Sequence, residues 1–130
     1  MPSPNSVPRF KEDGVAVSVA ISTLNPNLDG TGTLGTVVTA GTQGTLIELI
    51  RIIATGVTTA GMVRLFIDDG SAIRLYKEIA ITAVTPSATV KAFEVDFLPA
   101  TELILPTGYF LKASTEKAEE FIVRAVGGDL

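Results

Sequence analysis

MVRLFIDDGSAIRLYKEIAIT, residues 62–82, decides the fold class. Val63, Leu65 and Ile67 fall on one side of an alternating pattern, with Arg64 and Asp68 on the other. Successive side chains on a strand point to opposite faces, so this period marks a half-buried strand. Ile73, Leu75, Ile79 and Ile81 repeat the pattern against Arg74, Tyr76 and Glu78. Between the two runs lies Asp-Asp-Gly-Ser, and Asp-Gly suits a tight two-residue hairpin turn. The stretch reads as an antiparallel hairpin with one apolar face.

Working outward, the same grammar repeats. Upstream, GVAVSVAI from Gly14 and TLGTVVTA are short, β-branched strand candidates separated by the loop 22–32. TLIELIRIIATG, residues 45–56, has apolar spacing that suits a strand or a short helix. Its β-branched density and flanking Gly-Thr pairs favour a strand buried on both faces. Downstream, VKAFEVDF sets Phe93, Val95 and Phe97 against Glu94 and Asp96. ELILP, YFLKAST and EEFIVRAV add three more strands, and STEKAEE is too short to stand as a helix. About eight short strands at intervals of roughly 8–12 residues predict an all-β domain, an antiparallel sandwich or jelly roll. The expected division is a proline-rich extended arm over residues 1–13 and a single domain over 14–130. Pro2, Pro4 and Pro8 bar the arm from a helix interior or a central strand. Its functional reading is contact with a neighbouring subunit through Pro4, Pro8, Arg9 and Phe10, with Phe10 as anchor.

Composition narrows the function. The 130 residues contain no cysteine and no histidine. Disulfides, thiolate metal sites and thiol nucleophiles are excluded, as are imidazole ligands and the usual general base. Hydrophobic residues make up 46% and charged ones 18%, below the roughly 25% charge of ordinary soluble domains. No stretch reaches the roughly 18 uninterrupted apolar residues of a membrane helix, and the N-terminus lacks the apolar centre of a secretory leader. An apolar chain of this kind either covers part of its surface with partner subunits or packs as a tight small sandwich. Net charge is −4, and no run of Lys or Arg offers a phosphate-binding stripe, so no nucleic-acid partner is expected.

Three chemical motifs fail on context. In NPNLDGTGTLGT, residues 25–36, Gly30, Gly32 and Gly35 spell the G-x-G-x-x-G of dinucleotide sites. That motif needs a helix after the glycines, and TVVTAGTQG cannot hold one. The same stretch imitates the first half of a calcium loop, but its twelfth position, Thr36, lacks the bidentate carboxylate. The segment is expected to be a flexible turn that binds neither nucleotide nor metal. Ser114-x-x-Lys117 has the spacing of an acyl-enzyme pair without its companion motifs. Asp68–Asp69 and Glu119–Glu120 are adjacent, so on a strand they face opposite ways. No nucleophile, base and oxyanion set can be assembled, and the expectation is a non-enzyme with no cofactor and no metal.

RIIATGVTTAGMVRLFIDDG, AITAVTPSATV, LILPTGYFLKAST and the terminal AVGGDL carry a resemblance over residues 44–130. They resemble small β-rich structural proteins of tailed bacteriophages, of the capsid decoration or cement kind. The resemblance implies a virion component on the capsid exterior, made in the host bacterial cytoplasm, with the major capsid protein as partner. A homotrimer is the expected assembly, since cement proteins sit at symmetry axes. The alternative is a spike, tail or fibre component that binds a receptor or carbohydrate. Residues 1–43 lie outside the resemblance.

Overall fold

The computed structural model describes residues 13–130. Nine strands follow in order: β1 (Asp13–Ile21), β2 (Gly35–Thr39), β3 (Thr45–Ala54), β4 (Gly61–Asp68), β5 (Ile73–Ile81), β6 (Glu94–Phe97), β7 (Leu103–Leu105), β8 (Phe110–Thr115) and β9 (Phe121–Asp129). One sheet runs β1-β9-β3-β6, with β7 also on β3, and the other runs β2-β8-β4-β5. The strand pairings are antiparallel and nested: β1 with β9, β2 with β8, β3 with β6 and β7, β4 with β5. A nested set is what one long hairpin makes when it rolls over on itself, which is a jelly roll. The all-β reading and the β4–β5 hairpin are both present. The residues 116–120 join β8 to β9 without a helix.

The core lies between the sheets. Ile47, Ile50, Ile52, Val123 and Ala125 of the first sheet meet Val63, Leu65, Leu111 and Ala113 of the second, each at most 1% exposed. Phe93, Val95 and Phe97 pack against this cluster, as their alternation with Glu94 and Asp96 requires.

Two β-bulges explain where the sequence pattern misleads. In β3, Ile47 pairs with Gly127 and Leu49 with Val126, so Glu48 is an extra residue. The buried positions are Thr45 and Ile47 before it, and Ile50, Ile52 and Ala54 after it. A three-residue step at the bulge imitates a helical period inside a strand. β3 is not buried on both faces: Leu46, Leu49, Arg51 and Ile53 are half-exposed. Gly127 faces this bulge, and a Cβ there would collide with the Leu46 carbonyl oxygen. The glycine is thus required by close backbone approach rather than by a turn.

The second bulge is at Tyr76, between the pairs Leu65–Lys77 and Phe66–Leu75. It moves Ile73 and Leu75 onto the outer face, away from Ile79 and Ile81, correcting the single apolar face expected for β5. Tyr76 itself packs against the core and meets Phe97 edge-on, ring centroids 6.1 Å apart. The Asp-Gly turn is also wider than expected, since Asp68 pairs with Ile73 and leaves Asp69–Ala72 as the connection. Asp69 Oδ1 accepts from the amides of Ser71 and Ala72, while Asp68 Oδ1 accepts from Gly70, whose φ is +90°. Two aspartates cap the four-residue loop, so the sequence has no need of a two-residue turn.

Candidate interaction surface

The segment 25–36, expected to be a flexible turn, is pinned from inside. Asn25 is 2% exposed. Its Nδ2 donates to the carbonyls of Thr31 (3.0 Å) and Thr33 (2.9 Å), and its Oδ1 accepts from the Asn27 amide (3.0 Å). Asp29 Oδ1 accepts from the amide and hydroxyl of Thr31, which hold its carboxyl below the usual aspartate value. Gly30 and Gly32 take φ of +85° and +86°, the left-handed conformation that favours glycine. After Gly35 comes strand β2, with no helix N-terminus to receive a phosphate. The side chains that imitate a ligand cradle are spent on holding their own loop.

The β1–β2 loop also reaches the sheet β2-β8-β4-β5 at two points. Leu24 bridges Thr115, which stands opposite Val63, and Gly30 abuts Ile73, which stands opposite Asp68. Between those points the outward-facing Arg64, Phe66 and Ser114 are buried. Phe66 therefore needs no place in the inter-sheet core. Arg64 pairs with Glu78 (3.1 Å) and Glu116 (3.5 Å), and Lys112 pairs with Asp68 (2.8 Å). The Lys112 ammonium and the Gly70 amide hold the Asp68 carboxyl below its usual range. Ser114 lies on β8 rather than on a helix, and Lys117 packs toward Gly61. The Ser-x-x-Lys spacing thus has no catalytic geometry.

Two concavities flank the sandwich. One, about 170 Å³, is lined by Ser22, Thr23, Thr33, Leu34 and Ser114. The other, about 290 Å³ and more open, lies along Leu46, Glu48 and the 99–102 connection. Ligand sites run from roughly 300 Å³ upward, so the first is too small for more than a very small molecule, while the second lies at that lower limit and is open.

What the fold offers instead is sheet edges. β5 is guarded by its bulge and by Arg74, Lys77 and Glu78. β6 is four residues long, carries Glu94 and Asp96, and has Asp96 clamped by Arg51 at 2.7 and 3.0 Å. β7 has three residues, and β2 has five with a bulge. Short length, charge and bulges are how natural edges refuse a new strand. β1 has none of them. It is nine residues long and pairs with β9 in unbroken register from Asp13–Asp129 to Ile21–Phe121. From Gly14 to Ile21 it carries neither charge nor proline. Val17 is 37% exposed, and Gly14, Ala16, Ser18 and Ala20 are exposed. Sequence reasoning found this strand but had no means to see that it lies at an edge, because its partner is the last strand of the chain. Pro4, Pro8, Arg9 and Phe10 lie outside the described residues.

No protein-family model matches the chain, and no curated protein matches it. Among solved structures, a pentameric capsid protein isolated from metagenomic phage sequences aligns over 99% of this chain and 69% of its own, at 14% identity and a TM-score of 0.44.

Proposed function

We propose that this chain is a structural protein of a tailed-phage virion, which decorates or cements the capsid shell through contacts with the major capsid protein. The observation that carries the assembly reading is the open edge of β1, nine residues without charge or bulge after Asp13. The phage context rests on the sequence resemblance over residues 44–130. In the fold its segments build strands and turns: Gly127 admits the β3 bulge, and Asp129 accepts a hydrogen bond from Thr45 Oγ1 at 2.6 Å. They carry scaffold rather than chemistry, which supports a non-enzyme. A jelly roll serves capsids and lectins alike, so the fold by itself selects no function.

In this reading the protein is a homotrimer on the capsid exterior, and its N-terminal arm reaches a neighbouring subunit through Pro4, Pro8, Arg9 and Phe10. The test is copy number on purified particles by quantitative mass spectrometry. Hundreds of copies per particle are expected of a shell protein. A dozen or fewer would overturn the decoration reading in favour of spike, tail or fibre.

A further inference from the structure

We infer that β1 is the acceptor strand for residues 2–10 of another copy of this chain, so that subunits are joined by exchanged arms. The inference deepens the assembly reading and rests on it. β1 has one edge on β9 and the other without a strand among the described residues. Residues 1–12 are the chain outside the described structure, and they end where β1 begins.

The proline positions set what that segment can do. In an extended chain, successive residues turn their N–H and C=O groups to alternate edges. Pro2, Pro4 and Pro8 are all even-numbered, so the missing donors fall on one edge only. Ser3, Asn5, Val7 and Arg9 keep every N–H and C=O on the other edge. Such a strand can pair on one side and refuses a further strand on the other, which is where proline belongs in a sheet. Side chains alternate with the same period. Pro2, Pro4, Ser6, Pro8 and Phe10 share one face, mostly apolar, while Ser3, Asn5, Val7 and Arg9 share the opposite, mostly polar face. β1 has the matching division, with Val15, Val17 and Val19 on one face and Ala16, Ser18 and Ala20 on the other.

The donor of the arm is a second copy. Doubling back onto its own β1 would require a turn between residues 9 and 14. Arg9, Phe10, Lys11 and Glu12 are not turn formers. Asp13 and Gly14, the turn-favouring pair, are already committed to β1 opposite Asp129 and Gly128. Passing each arm to the next copy is a heterologous contact, and the homotrimer of the assembly reading is the case in which its rotation closes into a ring.

Proline phase supplies the test on the full chain, without capsid. Val7→Pro removes a donor from the pairing edge, and Ser6→Pro removes one from the edge already lacking donors. Hydrogen exchange is read at the outward amides of Gly14–Ala20. Val7→Pro is expected to speed their exchange at least tenfold and lower the solution mass, whereas Ser6→Pro changes neither. Equal behaviour of the two variants would overturn the inference. In this cysteine-free chain, Val7→Cys is also mixed with Ala16→Cys, Ser18→Cys or Ala20→Cys, the β1 positions on the face that Val7 would share, and oxidised. A disulfide between the two different variants is expected in at least one mixture. Cross-linking confined to a single chain in the corresponding double variant would show self-pairing and overturn the exchange. None of these readings depends on copy number in a virion, so either proposal can fail alone.

Discussion

β1 and β5 each form one edge of their sheet and are of equal length, yet they are finished in opposite ways. β5 bends at Tyr76, carries Arg74, Lys77 and Glu78, and has Ile73 abutted by Gly30. β1 is straight in register, uncharged after Asp13 and largely exposed. Val17 and Leu75 are matched in exposure, 37% and 38%, so exposure of an apolar side chain does not distinguish the two edges. What distinguishes them is whether another strand can add. An edge left without a strand among the described residues, in a domain that guards its others, is the place we propose for a partner.

The largest effect expected from breaking this comparison is in stability. Ile79 is 8% exposed in the core, and truncation of such a side chain costs about 3 kcal/mol. Denaturant unfolding of Ile79→Ala should show that loss, while Val17→Ala, measured on separated subunits, should cost about 0.5 kcal/mol. Gly127 is next. An added methyl must push β3 away from β9, the strand that carries β1, and Gly127→Ala should cost about 2 kcal/mol. Arg64→Met keeps the buried stem but removes the charge between Glu78 and Glu116. Those carboxylates are 40% and 33% exposed and remain hydrated, so thermal unfolding should register about 1 kcal/mol or less.

The smallest effect is in pH dependence. Asp68 and Asp69 near the β4–β5 turn, and Asp96 on β6, all have carboxyls held below the ordinary value of 3.8, by Lys112, by backbone amides and by Arg51 respectively. A lowered folded value means that the unfolded chain takes up protons first. The stabilisation is therefore complete above 3.8 and is lost as pH falls below it through the lowered folded values. An acid titration followed by circular dichroism should be shallower below pH 4 for Asp68→Asn than for the unaltered protein. β1 carries no such group after Asp13, so the acid response belongs to the β4–β5 turn, to β6 and to the loop that holds Asp29.

Much of the fold is written locally. The β4–β5 hairpin follows from alternation, and Phe93, Val95 and Phe97 from theirs. The misread places are those where a distant strand decides. Glu48 is extra only because Gly127, far along the chain, leaves room for the β3 backbone, and this made a strand resemble a helix. Leu65, Phe66 and Ile67 are consecutive apolar residues that fit no single face, and Phe66 is buried outside the inter-sheet cluster that holds Leu65. Asn25 looked like a turn residue and proves to be a buried clasp. The interaction surface was half legible. The composition left partner coverage and a tight small sandwich both open and the proline arm suggested one contact, but whether β1 lies inside a sheet or at its edge depends on where β9 ends up.

The most direct test places one lysine on each edge and reads the assembly mass by sedimentation velocity. Val17→Lys puts a charge into the strand held open, and Leu75→Lys puts one into the strand already guarded. The account predicts that Val17→Lys sediments as a single folded chain while Leu75→Lys keeps the mass of the unaltered oligomer. An assembly that survives Val17→Lys, or one that only Leu75→Lys dissolves, would contradict it.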